Sequence, residues 1–334
     1  MINRYNRFWL PKLWGSGQRA AADGTKWDIY EQNLLSEYHI RYGGWGGIGY
    51  YHVSDTYIAL FSSFIACGVW EAVYILDGLL ENRSEIRPDT LHADTQGQSE
   101  TVFGLAYLLA IQLMPRIRNW KHLTLYVPTA RFAVEDIQHI RELFSEAIDW
   151  SLIKTHLPDM LRVALSISQG KVRSSTILRK LGTESRKNKL FVAFRELGRV
   201  VRTMFLLRFI NEAELRRTIN AATNIAEAWN GLIQWVAFGG DGAIRQNNRE
   251  EQRKIIRYNH LVANLVVFHN VVSMTRVLQA LIDEGYPVTP DIIARLAPYK
   301  IGHINRFGHY DLRFDQPPPP ITEELRLAPA RAVS

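Results

Sequence analysis

Gln18-Arg19-Ala20-Ala21-Ala22-Asp23-Gly24 and Thr90-Leu91-His92-Ala93-Asp94-Thr95 are two short runs that each end by delivering an aspartate. In the first, three small residues stop at Asp-Gly, a strand end and turn. In the second, an extended piece following Pro88 ends the same way. Open α/β sheets place ligands at strand ends, so both aspartates are candidates for a site. Outward from these runs, Arg41 to Gly47 reads as a glycine-rich loop and 25–40 as a polar excursion. Ile48 to Val53 and Tyr57 to Ile65 form a hairpin around Ser54-Asp55-Thr56. Val69, Val73, Leu76 and Leu80 predict a helix over Val69 to Glu81, and Val102 to Ile111 a second, apolar one. Gln112 to Ile117 is another strand. Three strands, helix, strand, helix and strand make a mixed sheet with helices on its faces.

After Pro128 the pattern turns helical, with periodic segments over 134–149, 158–169, 174–182, 188–210, 212–238 and 248–284. Pro287 and Pro290 stop the last of these, and Pro317 to Pro320 opens an irregular tail. The divisions expected are 1–127 for the sheet, 128–212 for a basic helical region, 213–315 for closing helices and 316–334 for the tail.

The chain has 334 residues, 47% hydrophobic and 22% charged, which excludes wholesale disorder and fibrous architecture. One cysteine, Cys67, permits no internal disulfide and reads as a core residue in a cytoplasmic protein. No uninterrupted apolar run reaches the ~18 residues of a bilayer span, and the first residues lack a signal peptide's apolar stretch, so no membrane partner is expected. The formal charge is +7, and it is concentrated. Between residues 171 and 202 ten basic residues (Lys171, Arg173, Arg179, Lys180, Arg186, Lys187, Lys189, Arg195, Arg199, Arg202) face only Glu184 and Glu196. Leu190, Phe194, Leu197, Val201 and Phe205 recur at helical spacing, which puts Arg195, Arg199 and Arg202 on an opposite, common face. A solvated helix surface would look similar, but a block of this size suits phosphate neutralisation.

Several chemistries drop out. No two histidines are close enough for a helical metal pair, and the glycine-rich loop lacks the lysine of a phosphate-binding loop. Acids remain. Asp23 and Asp94 are joined by Glu227, which lies beside the buried stripe Leu215, Ile219, Ala222, Ala226, Trp229, Ile233 and Val236, with Asn224 and Asn230 as polar neighbours able to orient it. Taken singly, each Asp reads first as a turn or cap residue and the Glu as a solvated one. Together they would form an all-oxygen site for Mg²⁺, where two ions can assist phosphoryl transfer. Arg116 and Arg118, just past the last strand, are candidates for phosphate contacts or for surface ion pairs.

At these places the sequence resembles the Tn-three family of bacterial replicative transposases. The blocks that carry the resemblance include Ala21-Ala22-Asp23-Gly24, His92-Ala93-Asp94-Thr95, Phe103-Gly104-Leu105 and Pro115-Arg116-Ile117-Arg118. In the helical half they include Ser185-Arg186-Lys187-Asn188-Lys189, Glu196-Leu197-Gly198-Arg199, Asn224 with Glu227-Ala228, and His303 to Gly308. The resemblance implies a ribonuclease H-like α/β catalytic domain with a large all-helical insertion before the glutamate helix. It implies Asp23, Asp94 and Glu227 as catalytic, metal-holding residues, with Mg²⁺ (two ions, Mn²⁺ able to substitute) as cofactor. DNA, as transposon ends and target, is the implied partner, with a homodimer in the active complex and bacterial, nucleoid-associated localisation. Family members are about three times longer, so a truncated copy lacking end-recognition domains is expected. A catalytically idle DNA-binding remnant that interferes with full-length transposase is the alternative.

Overall fold

The computed structural model describes residues 1–30, 32–39, 43–67, 71–119, 123–129, 131, 135–183, 188–317 and 321. Six strands form a mixed sheet: β1 (Arg19–Asp28), β2 (Glu37–His39), β3 (Gly44–Ser54), β4 (Ala59–Ala66), β5 (Thr90–Ala93) and β6 (Gln112–Pro115). Their order is β2-β3-β1-β5-β6, with β4 also pairing β3. β1, β5 and β6 run parallel to one another, whereas β2, β3 and β4 are antiparallel additions.

The expected hairpin and the strands at 90–93 and 112–115 are present, but β1 differs. It continues past Asp23 to Asp28, with Gly24 opposite Tyr50 on β3. Gly24 serves close approach here, not a turn. A Cβ on it would lie 2.7 Å from Ile48 Cγ2 and 2.6 Å from a Glu71 carboxylate oxygen. The glycine-rich stretch is likewise strand from Gly44 onward, with the Phe64 ring occupying the space above Gly47. The predicted helix over 69–81 is instead a 3-10 turn at Glu71–Tyr74 and a single α-turn, α3 (Asp77–Leu80); residues 68–70 lie outside the described residues. Asp77 is buried and fixed by the Ser174 hydroxyl and the Ser175 N–H, which breaks the run.

Alternate residues of β1 serve different cores. Ala20 and Ala22 face a core built with α4 (Glu100–Leu108), α5 (Trp150–Ser168), α6 (Ser174–Thr183) and α7 (Lys189–Asn211). Trp27 joins Tyr51, Trp229 and Val267 in a second core under α8 (Ala213–Val236) and α9 (Arg249–Asp283), to which α1 (Ile2–Tyr5) and α2 (Trp9–Trp14) add Tyr5 and Leu10. A short α10 (Pro290–Ala294) packs on α2.

The segment over 134–149 does not continue as a helix. It forms a 3-10 helix at Glu135–Leu143 and a strand, β8 (Phe144–Ala147), parallel to β7 (Leu125–Val127). Asp149 then starts α5 by accepting the Leu152 N–H at 2.9 Å, an N-cap that fixes the boundary. Helices α6, α7, α8 and α9 match the remaining periodic segments, whereas α5 starts at Trp150, eight residues before the expected 158, and carries Pro158 within it. Among the described residues α9 is the one helix long and apolar enough, by composition, to cross a membrane. Its Ile256, Ala263, Val267 and Val271 are buried in the second core, while Leu261, Val262 and Leu265 on the other side are exposed. Cys67 is buried, and burial pushes its thiol up to about 11.

The charged face expected on α7 is not open. Arg199 is 15% exposed in its side chain and pairs with Glu196 at 2.8 Å and with Glu100 and Glu146 at 3.3 Å. Arg202, 11% exposed, lies 3.7 Å from Glu100. The cause is the helix crossing itself: α4 and α7 touch backbone to backbone at Gly104 and Gly198, so guanidinium groups beside the contact fall among the carboxylates of the neighbouring elements. Arg195 is more open at 39%. Arg179, Lys180 and Lys189 are exposed, while Arg186 and Lys187 lie outside the described residues.

Candidate active site

β1 and β5 are in parallel register with Ala22 beside Ala93, so the next residue on each chain path is an aspartate: Asp23 and Asp94. Neighbouring strands lie about 4.8 Å apart, which makes these two acids close neighbours. The third element comes from above. Ala21 meets Ala222 and Ala226 of α8 in a contact of small side chains that lets the helix settle on β1. Glu227 follows Ala226 and projects at the rim of the same cleft. A cavity of about 670 Å³ is lined by Asp23, Asp94, Glu227, Glu71, Arg116 and Arg118, with Asn220 and Thr223 of α8 completing the wall.

Helix α8 is tied to β1 along one face. Asn230 Nδ2 donates to Asp23 Oδ2 at 2.9 Å, and Gln234 Nε2 donates to Thr25 Oγ1 at 2.5 Å. The Gly24 N–H donates to Asp23 Oδ1 at 2.9 Å. Asn230 therefore positions Asp23, whereas Asn224 is exposed and the cleft wall is made by Asn220 and Thr223 instead. His92 is buried, with Nδ1 3.2 Å from the Met114 carbonyl, and burial brings it down to about 4. It is a packed residue.

Asp23 is pushed from an ordinary 3.8 up to about 7. Burial is the main cause and the Asp94 charge the next; the Gly24 N–H opposes them, and Glu71 and Glu227 add to the rise. Across the cleft, Arg116 Nη1 contacts Glu227 Oε1 at 3.2 Å, both side chains being about half exposed (44% and 59%). Such a pair is weak and exchangeable. Oxygen donors of this type are those a hard divalent cation takes, and the repulsion lifting Asp23 is what a cation would relieve. Among the described residues, however, no three acidic, His or Cys side chains close on a common point at metal-binding spacing. Glu227 is held by Arg116 in this arrangement.

The chain matches a family model described as "Tn3 transposase DDE domain" over residues 1–310. The chain belongs to that family. Its curated relatives include the transposase for transposon Tn501 of Pseudomonas aeruginosa, 37% identical over 313 residues, covering 93% of this chain and 31% of the relative. The transposase for transposon Tn3926 of Escherichia coli is 35% identical over 300 residues, with 89% and 30% covered. The transposase for transposon gamma-delta of Escherichia coli (strain K12) is 32% identical, with 95% and 31% covered. The chain thus spans about a third of the length of the relatives it matches. Within this Tn3-family domain, Glu71 is the cleft acid that periodicity did not single out. Its only sequence signal is a carboxylate directly before the buried Ala72 and Val73.

Proposed function

We propose that this Tn3-family DDE domain cuts and joins DNA strands, with Asp23, Asp94 and Glu227 as the acting carboxylates. The observation that carries the reading is that three acids far apart in the chain line one cleft beside two arginines. The sheet is read as ribonuclease H-like, with α5, α6 and α7 set between it and the glutamate helix. The relatives are named as transposases, which extends the reading to transposition. Transposon ends and target DNA as substrates, and a second copy of the chain in the working complex, are part of this proposal.

Asp23, Asp94 and Glu227 would hold Mg²⁺, or Mn²⁺ in its place. Two bound ions would activate the attacking oxygen and stabilise the leaving one. The chain's own groups do the rest. Asn230 fixes the orientation of Asp23, and the Gly24 N–H holds its other oxygen. Arg116 and Arg118 offer guanidinium forks to a phosphodiester, and Arg116 gives up Glu227 in doing so. Among the described basic residues along 179–202, Arg179, Lys180 and Lys189 are exposed and Arg195 partly so, and these can add backbone contacts; Arg199 and Arg202 hold α7 in place.

The test is a nicking and strand-transfer assay on pre-cleaved ends in Mg²⁺ or Mn²⁺. Asp94→Asn and Glu227→Gln are each expected to abolish product while leaving DNA binding intact. Activity surviving in either variant would sink the assignment.

A further inference from the structure

Strand β4 lies beyond β3 from β1 and carries a second cleft of about 380 Å³, which shares no lining residue with the carboxylate cleft. It joins two arginine groups that are distant in sequence. Arg249, Arg253 and Arg257 recur every four residues at the start of α9, so they share a helix face over about 12 Å. Arg173 and Arg179 come from the α6 side. Ser63 and Thr176 add hydroxyl donors.

The acids in the lining are engaged. Glu81 pairs with Arg173 at 2.8 Å and Glu250 with Arg253 at 2.6 Å. Asp77 accepts from Ser174 and Ser175, and Glu37 has a partner of its own. Arg249 and Arg257 are exposed and enter no ion pair among the described residues. The lining carries five arginines against four acids, and two of those guanidinium groups, on Arg249 and Arg257, are left open to a ligand.

Position adds a second argument. Asp23 is in register with Tyr51, and Tyr51 with Ser62 on the cleft floor. Two strand spacings, about 10 Å, separate the two sites across the sheet. A single isolated phosphate needs one or two guanidinium groups. A 12 Å row instead matches about three successive phosphates of one strand, which advance about 3.4 Å each along the helix axis.

We infer that this cleft is a second DNA contact, gripping the sugar–phosphate backbone of DNA engaged at the carboxylate site. The inference rests on the DNA reading above and makes Arg249 and Arg257 backbone-binding residues. Fluorescence anisotropy with a duplex oligonucleotide, read from 50 to 200 mM salt, tests it. Removing two phosphate contacts lowers the slope of log affinity against log salt by about 1.8, so the variant's loss over that range is about 12-fold smaller than wild type's. Arg249→Gln combined with Arg257→Gln is expected to show this change with an unchanged thermal midpoint. Arg257→Lys, which keeps the charge, is expected to retain the slope, as is Arg162→Gln on the exposed face of α5. An unchanged slope in the double variant, with wild type binding DNA normally, overturns the second contact alone. Wild type that shows no salt-dependent DNA binding overturns both readings.

Discussion

Gly198→Ala is expected to destabilise the domain, and the same substitution at Gly231 to stabilise it. Both glycines sit inside long helices, where alanine is intrinsically better by about 0.8–1.0 kcal/mol. At Gly231 nothing lies within 4 Å of the added carbon, so that gain is realised in full. At Gly198 the added carbon would stand 1.6 Å from the Glu100 carbonyl oxygen on α4 and 2.4 Å from its carbon. Backbone atoms cannot step aside as a flexible side chain does. Restoring an ordinary contact requires α4 and α7 to part by roughly 1.5 Å, and a gap of 0.5–1 Å already forfeits about a quarter to a half of each lost contact. Overpacking of a well-packed core costs about 1–3 kcal/mol, and a backbone collision belongs at the upper end. Net destabilisation of about 2 kcal/mol follows after the helix-propensity gain is subtracted. Thermal unfolding of the two variants beside wild type reads the sign directly. If Gly198→Ala raises the midpoint as Gly231→Ala does, the close crossing of α4 and α7 is wrong.

The raised Asp23 gives a pH-dependent counterpart. Its folded-state pKa exceeds the unfolded one, so its contribution favours folding at low pH and is lost as pH rises through about 7. Asp23→Asn is therefore expected to gain stability over wild type between pH 5 and 8.5, by about 2.7 kcal/mol as an upper figure from the roughly two pH units between 5 and the folded value of about 7. Urea titrations at the two pH values check this, and equal stability differences at both would contradict it. Asn230 Oδ1 has no partner, so an amide flip can accommodate the new side chain. Glu71→Gln is expected to shift wild type's stability loss to lower pH, because Glu71 adds to the rise at Asp23; a window that stays in place would remove Glu71 from the cleft's electrostatics.

Much of this site was readable because small residues and acids alternate in a telling way. Ala21 and Ala22 before Asp23, and Ala93 before Asp94, mark places where elements approach closely, and the stripe on α8 fixed which side Glu227 could not occupy. What misled was glycine. Asp23-Gly24 carries the local signature of a turn, yet the strand runs on because Ile48 and Glu71 need the space a Cβ would take. The arginines of α7 misled for a related reason. Helical spacing tells which residues share a face but not what covers it, and here the covering carboxylates Glu100 and Glu146 come from distant segments. Glu71 was invisible to periodicity because its place is set by tertiary approach to Gly24. The arginines of α9 share a cleft with Arg173 and Arg179 only in the fold.

The tie between Asp23 on β1 and Asn230 on α8 joins residues 207 positions apart. During synthesis at about 5–20 residues per second, Asp23 leaves the ribosome some ten to forty seconds, and Asp94 about seven to twenty-seven seconds, before the glutamate that completes the cleft. A nascent chain therefore carries its first acids without the third for that interval. Because Glu227 is reached only after α5, α6 and α7 have been made, a prematurely ended or clipped product has a sheet but no finished cleft. Under the strand-cutting reading proposed above, timing of this kind confines that chemistry to chains that have been made past residue 227.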